Sequence, residues 1–255
     1  MLVIPLQSGS NGNATYVEAG GVRLLFDAGI SGRAAEERLR AQGRKMSRVE
    51  ALVISHDHAD HIRCMGVYHR RFGMPVHVTA NTLCAAVERC RLGRLGGICD
   101  FRAGESIHFG RMTVETIATP HDGADGVAFV VDDGERRLGI LTDLGHVFRG
   151  LDKVVRSLDA VVLESNYDPA MLASGPYPEF LKRRIRGRGG HLSNFEAAGL
   201  LLAAGTGRLR WACLAHLSEE NNRPELALRT HREVVGEGLA LHVASRYGAI
   251  GPLEV

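Results

Sequence analysis

Six consecutive residues, His56-Asp57-His58-Ala59-Asp60-His61, carry three imidazoles and two carboxylates directly after the apolar run Ala51-Leu52-Val53-Ile54. That density of nitrogen and oxygen donors is the chemistry of a divalent metal site rather than of a solvated loop. Alternate residues of an extended strand end project to one side, so His56 and His58 can share one cation while Asp57 and Ala59 point elsewhere. A helix beginning near Asp60 turns Asp60 and His61 toward a neighbouring position, where they can serve a second cation. Four potential ligands in one short loop suit a pair of metals, and the chain reads as a two-metal hydrolase.

The elements that must deliver these groups follow from periodicity. Strands are expected near 2–6, 14–18 and 23–27, with Asn11-Gly12 turning the chain between the first two, and again at 51–54 and 76–79. Helices are expected over 34–40, 61–72 and 81–92. From Ile107 to Thr142 the pattern becomes an antiparallel meander of strands near 106–109, 112–118, 126–131 and 137–142, broken by Gly110 and by Asp132-Asp133-Gly134. Strands near 159–164, 209–215 and 240–243 then alternate with helices over 177–186, 193–204 and 223–236, the last with Asn222 as its cap and Pro224 in its first turn. Two strand-rich regions, each followed by helices, predict an α+β four-layer sandwich: two mixed β-sheets face to face, helices outside, in one domain spanning residues 1–255.

A two-metal site needs more groups than one loop provides, and strand ends are where a core fixes their direction. Three residues meet that condition. His121 follows Ile117-Ala118-Thr119, Asp143 follows Gly139-Ile140-Leu141-Thr142, and His216 follows Trp211-Ala212-Cys213-Leu214-Ala215. Together with the cluster and Asp27, they place the chain in resemblance to the metallo-β-lactamase superfamily, whose ordered signature is an early aspartate, H-x-H-x-D-H, then a histidine, an aspartate and a final histidine. The resemblance extends over essentially the whole chain. It implies that His56, His58 and His121 hold one metal, that Asp60, His61 and His216 hold the other, and that Asp143 bridges them. It makes Asp27 an acceptor that orients a liganding imidazole.

That fold hosts hydrolysis of thioesters, lactams, lactones and phosphodiesters, so further residues must select the reaction. Gly190-His191-Leu192-Ser193-Asn194 is similar to the G-H-S-T segment of ribonuclease Z-type phosphodiesterases, where the histidine protonates the leaving oxygen, and Leu214-Ala215-His216-Leu217-Ser218 is similar to the last metal-ligand segment of that group. An imidazole titrates at about 6.5, which suits His191 to proton transfer near neutral pH. Glu164, closing Ala160-Val161-Val162-Leu163, is placed to orient it. The run Lys182-Arg183-Arg184-Ile185-Arg186-Gly187-Arg188 offers cations for a phosphate backbone a few positions upstream.

Within the superfamily the chain is most similar to the YycJ/WalJ-type branch, through Ser8-Gly9-Ser10-Asn11-Gly12-Asn13, Glu164-Ser165-Asn166, Tyr177-Pro178, Gly190-His191-Leu192-Ser193-Asn194 and His216-Leu217-Ser218-Glu219-Glu220-Asn221-Asn222. The resemblance implies a nuclease with nucleic acid, DNA foremost, as its substrate, degraded from 5′ to 3′ in a repair setting. It also implies two divalent ions, zinc or manganese, with iron as a third choice. Tyr167 departs from the branch, which carries histidine there. The competing expectations are a glyoxalase II-like thioesterase or a small cyclic phosphodiesterase on the same metals, and a non-catalytic module that keeps metals for structure.

The rest of the composition narrows the class. With 255 residues and 45% hydrophobic content, the chain can bury a sizeable core. No apolar run is long enough to span a bilayer and Met1-Leu2-Val3-Ile4-Pro5 lacks the form of a secretion signal, so a cytoplasmic protein without membrane attachment is expected. Cys64, Cys84, Cys90, Cys99 and Cys213 form no C-x-x-C pair, which argues against both a disulfide framework and a thiolate zinc knuckle. The net charge of +2 is too small to argue for nucleic-acid binding by itself, although all of the 31 basic residues except Lys45, Lys153 and Lys182 are arginine.

Overall fold

In the computed structural model, which describes residues 1–255, the elements run β1 Leu2–Gln7, β2 Ala14–Ala19, β3 Val22–Phe26, α1 Gly32–Ala41, β4 Ala51–Val53, α2 Ala59–Ile62, α3 Met65–Phe72, β5 Val76–Thr79, α4 Ala80–Arg89 and β6 Ile98–Phe101. The second half runs β7 Ser106–Phe109, β8 Met112–Ala118, β9 Val127–Asp132, β10 Arg137–Leu141, α5 Leu151–Arg156, β11 Ala160–Glu164, α6 Pro169–Ser174, α7 Glu179–Arg186, α8 Asn194–Ala204, β12 Trp211–Ala215, α9 Pro224–Val235, β13 Ala240–Val243 and β14 Leu253–Glu254.

Two seven-stranded mixed sheets result, in the orders β14-β1-β2-β3-β4-β5-β6 and β13-β12-β11-β10-β9-β8-β7. In each, hairpin-linked strands pair antiparallel and the strands separated by helices pair parallel, as crossover connections require. One core lies between the sheets, where the Phe26 and Phe129 rings meet with centroids 5.1 Å apart. Two more cores lie beneath the helices, one around Leu25, Leu52 and Tyr68, the other around Leu141, Leu163 and Leu201. The expected αβ/βα sandwich is therefore the observed one, and none of its helices is long and apolar enough to cross a membrane.

The strand expectations hold closely, including the meander β7–β10. Four short elements escape the sequence pattern: β6, α5, α6 and β14. The single helix expected over 61–72 divides at Arg63-Cys64, because the Cys64 backbone N–H donates to Ala28 O at 2.9 Å. Asn222 does not cap α9. Arg223 occupies that position without a side-chain bond, while the Asn222 amide turns inward to Ser165 O and Asn166 O at 2.8 and 3.1 Å.

Candidate metal centre

The predicted residues leave the carboxyl ends of neighbouring strands at one rim of the sandwich, the location where parallel strands with helical crossovers present their loops. Asp27 follows β3, His56 follows β4, His121 follows β8, Asp143 follows β10, Glu164 ends β11 and His216 follows β12. Asp27, Asp143 and His216 take left-handed backbone angles, φ 63°, 56° and 55°. Residues other than glycine rarely adopt this conformation, and here it turns each chain sharply out of its strand so that the side chain faces the rim. The loop after β3 also runs against the histidine loop: Ala28 N donates to His61 O at 2.7 Å, and a Cβ on Gly29 would lie 1.6 Å from Asp60 O. Only glycine permits that approach.

Four overlapping donor groups form, each with ligand atoms within 4.8 Å of one another. Two share no residue, His56, His58 and His121 as the first and Asp60, His61 and His216 as the second, while His56, His61 and Asp143 form a third and Asp143, Glu164, His191 and His216 a fourth. His58 Nδ1 stands 3.2 Å from His121 Nε2. In the second group the Asp60 Oδ2 lies 3.5 Å from His61 Nε2 and 3.4 Å from His216 Nε2. Asp143 faces both, with Oδ1 at 3.6 Å from His121 Nε2 and Oδ2 at 3.3 Å from His61 Nε2. All seven side chains of the predicted set converge, as do Asp27, Glu164 and His191.

The outer atoms of these imidazoles are committed, which fixes the inner ones. His61 Nδ1 meets Asp27 Oδ2 at 2.7 Å, and Asp27 in turn accepts from Ser55 N at 2.8 Å. His56 Nδ1 meets Ser55 Oγ at 2.9 Å, and His121 Nδ1 donates to Gly190 O at 2.8 Å. His58 Nε2 lies 3.3 Å from Asp122 Oδ1. Two buried atoms pointing inward, His56 Nε2 and Asp143 Oδ2, have no hydrogen-bond partner. Unpartnered buried donors and acceptors cost about 1–3 kcal/mol each in a protein, and a cation satisfies both.

Electrostatics agree with that donor set. Burial and the surrounding imidazoles hold His56 well below its ordinary pKa, and burial lowers His58 likewise, so both keep free lone pairs. Burial alone would lower His61, yet the Asp27, Asp143 and Asp60 carboxylates push it up to about 9. Burial opposes ionisation of Asp60, Asp143 and Glu164, but the neighbouring imidazoles outweigh it and all three lie below the usual carboxylate range. The same carboxylates raise His216 against its burial, so His56 and His58 are neutral donors whereas His61 and His216 carry protons that a cation entering their group would displace.

Beside the two groups, His191 Nδ1 contacts Glu164 Oε1 at 2.7 Å, and Glu164 Oε2 accepts from Leu144 N and Leu192 N at 3.2 and 3.1 Å. Glu164 Oε1 also approaches His216 Nδ1 at 3.3 Å. With Nδ1 engaged, His191 keeps Nε2 for the cleft that it helps to line.

Three further residues belong to the site although sequence reasoning gave them no role. Asn13 places Nδ2 3.0 Å from His61 Nε2 and 3.2 Å from Asp60 Oδ2. Asp57, fully buried, accepts from Ala124 N at 2.7 Å and pairs with Arg89, tying the histidine loop to the loop of His121. Asp122, next to His121, brings Oδ1 to 3.3 Å from His58 Nε2 and 3.6 Å from His121 Nε2. The basic run divides: Lys182 is buried and donates to Ala173 O at 2.7 Å, which removes it from any surface patch. Arg186 pairs with Glu179 and Arg184 with Asp122, whereas Arg183 stays exposed and Arg188 lies near His146. Tyr167 is buried and packs on Leu172 and Ile185.

A family model described as the β-lactamase superfamily domain matches residues 22–216. The chain is 34% identical over 249 residues to exodeoxyribonuclease YycJ of Bacillus anthracis, covering 93% of this chain and 92% of the relative. It is also 34% identical over 227 residues to exodeoxyribonuclease WalJ of Streptococcus pneumoniae, covering 88% and 84%. Among solved structures, the metallo-β-lactamase fold protein YhfI of Bacillus subtilis superimposes with a TM-score of 0.74 at 15% identity, covering 98% of this chain and 100% of that one. The short form of human tRNase Z does so at 0.67 and 16% identity, covering 100% of each. Those two likenesses speak for the fold.

Proposed function

Because the chain belongs to the β-lactamase superfamily, a family of metal-dependent hydrolases, we propose that it is a two-metal phosphodiesterase that degrades DNA exonucleolytically, from 5′ to 3′, in the cytoplasm. The single observation that carries this reading is the 2.7 Å contact between His191 Nδ1 and Glu164 Oε1 at the edge of the donor cavity. Thioester hydrolysis expels a thiolate that needs no protonation by the enzyme, whereas an alkoxide leaving a phosphodiester does need a proton donor. The two nuclease relatives support DNA as the substrate. One core shared by both sheets supports reading residues 1–255 as one unit.

In this reading His56, His58 and His121 would hold one divalent ion and Asp60, His61 and His216 the other, Asp143 would be available to both, and zinc or manganese would be the occupants. When bound, such a pair supplies Lewis acidity to phosphoryl oxygens and acidifies water. The chain's own groups do the rest. The Glu164 carboxylate holds the His191 ring by Nδ1, so that protonated Nε2 is aimed at the departing oxygen. Asp27 holds His61, and Ser8 Oγ accepts from His216 N at 2.9 Å, keeping the turned backbone in place. Arg184 lines the cleft and adds a fixed positive charge for the phosphate.

The test combines metal analysis with digestion of end-labelled single- and double-stranded DNA and RNA by the parent, Asp60→Asn and His191→Ala, with a thioester assay alongside. Both variants should lose cleavage, by about 10²–10⁴-fold for His191→Ala, the usual worth of a proton donor. Only Asp60→Asn should disturb metal occupancy. Parental rates from His191→Ala, or thioester turnover in place of DNA digestion, would overturn the assignment.

A further inference from the structure

Opposite the imidazoles and carboxylates, the cleft of about 290 Å³ has a second wall made by Tyr177, Leu181, Arg184 and Ile185. These residues come from α7 and the Tyr177-Pro178 step that leads into it. The segment is built as a separate small unit. Tyr167, Leu172 and Ile185 form a cluster apart from the three main cores, and Tyr177 and Leu181 pack against it. Lys182 Nζ ties α7 to the end of α6 through Ala173 O at 2.7 Å, and Arg184 ties it across the cleft to Asp122. An aromatic ring, two aliphatic side chains and a guanidinium thus line the same cleft as a donor set for divalent cations.

We propose that this wall is the subsite for the terminal nucleotide of the strand, an inference that rests on the phosphodiesterase reading. Asp122 takes Nε and Nη2 of Arg184 and leaves Nη1 for the phosphate. A phosphate held between Arg184 and the donor groups directs its base toward Tyr177 and Leu181. The Tyr177 ring stacks on that base, and Leu181 and Ile185 bury its edge. A ring and two aliphatic groups offer no pattern of donors and acceptors to a base edge, so the subsite accepts all four bases.

The experiment is a double cycle on the metal-reconstituted enzyme. One change removes the base, by placing an abasic tetrahydrofuran nucleotide at the end from which digestion starts; the other removes the ring, by Tyr177→Ala, with Tyr177→Leu retaining apolar bulk should the alanine variant fold poorly. The parent should prefer the base-bearing end by roughly 5- to 150-fold in kcat/KM, one base–aromatic stack. In the Tyr177 variants that preference should shrink severalfold, to what Leu181 and Ile185 alone supply, so that the two losses do not add. Calorimetry gives a second readout without turnover: the parent should bind deoxyadenosine 5′-monophosphate more tightly than deoxyribose 5-phosphate by a similar ratio, and in the variants that ratio should shrink severalfold. Equal kcat/KM of the parent on base-bearing and abasic ends, or additive losses, overturns the subsite while leaving the nuclease reading intact. A parent that digests neither substrate under metals that support thioester cleavage overturns the nuclease reading itself.

Discussion

Asp122 grips Arg184 by two hydrogen bonds, Nε donating to Oδ2 at 2.6 Å and Nη2 to Oδ1 at 3.0 Å. The same Oδ1 lies 3.3 Å from His58 Nε2, so one carboxylate positions both a cleft arginine and an imidazole of the first donor group. Arg184 therefore cannot be moved without disturbing His58, and the phosphate-facing wall is coupled to the metal-facing one. Asp122→Ala should lower affinity for one of two bound ions by about tenfold, the low end for loss of a carboxylate behind a liganding imidazole. Chelator competition monitored by metal stoichiometry checks this, and equal weakening of both ions would contradict the assignment of His58 to one group.

The contact between Asp27 and His61 makes a sharper prediction because Asp27 also sits at φ 63°. Asparagine tolerates the left-handed region and alanine does not. Asp27→Asn should keep the fold but weaken metal binding by about 10–100-fold through a poorly held His61 ring. Asp27→Ala should add a further loss of about 1 kcal/mol from backbone strain alone. Thermal unfolding of the two metal-free variants separates the strain from the lost acceptor.

How much of this was legible beforehand depended on whether a signal was local. The donor set was, since the H-x-H-x-D-H spacing and the strand-end positions of His121, Asp143 and His216 are written in contiguous residues. Asn13 was invisible in its role because it meets His61 from 48 positions away and a lone asparagine has no periodicity. Lys182 was misread as surface cation although the helical period could have excluded it: 182 and 185 share the inward face of α7, while 183 and 186 face out. The strand β6 was missed because Cys99 and Asp100 interrupt the β-branched pattern by which buried parallel strands are recognised. The division of the helix expected over 61–72 depends on Ala28 O, a partner 36 positions upstream of Cys64, which no local pattern reveals.

Metal removal should destabilise the whole protein, since His56 Nε2 and Asp143 Oδ2, which have no hydrogen-bond partner in the chain, lose the one that a cation gives them. With free ion at about a hundredfold over its dissociation constant, each site adds about 2.7 kcal/mol to unfolding. For a chain of this size that corresponds to a rise in Tm of about 5–10 °C per site. Scanning calorimetry over a series of free ion concentrations should show Tm climbing with concentration. A Tm independent of the ion would mean that native and unfolded chains bind it equally.

Away from the cavity, Asp159 contributes to acid stability: burial raises its carboxyl pKa, but the Arg137 backbone N–H and the Arg208 and Arg136 guanidiniums outweigh it and hold it below the ordinary value. A carboxylate lowered on folding stabilises the native state above its unfolded pKa, about 3.9, and loses that contribution as pH falls through its lower folded pKa. Asp159→Ala should cost about 1–3 kcal/mol at pH 7, because the Arg137 N–H, bonded at 2.9 Å, is left without its acceptor. Urea unfolding of parent and variant from pH 7 down to pH 2 should show the gap narrowing below pH 4.

Glu164→Gln distinguishes orientation of His191 from simple occupancy of space. The carboxylate takes four hydrogen-bond contacts, from His191 Nδ1 and His216 Nδ1 at Oε1 and from Leu144 N and Leu192 N at Oε2. A carboxamide has one accepting oxygen: turned toward His191 it aims an NH₂ at two backbone N–H donors, and turned toward the backbone it aims that NH₂ at the ring. In the first orientation the protein loses about 1–3 kcal/mol of stability while His191 keeps its partner. In the second, stability survives and the ring must flip or bind by its other tautomer. In the second orientation kcat should fall more than KM rises, because His191 acts on the leaving oxygen and not on ground-state binding, whereas in the first the ring stays in place and kcat falls less, through loss of the negative charge beside it. Because Oε1 also meets His216 Nδ1, affinity for the ion assigned to Asp60, His61 and His216 should weaken by about tenfold, so the kinetics are compared at saturating ion. A Glu164→Gln enzyme with parental kcat would show that the carboxylate serves only the loops of Leu144 and Leu192.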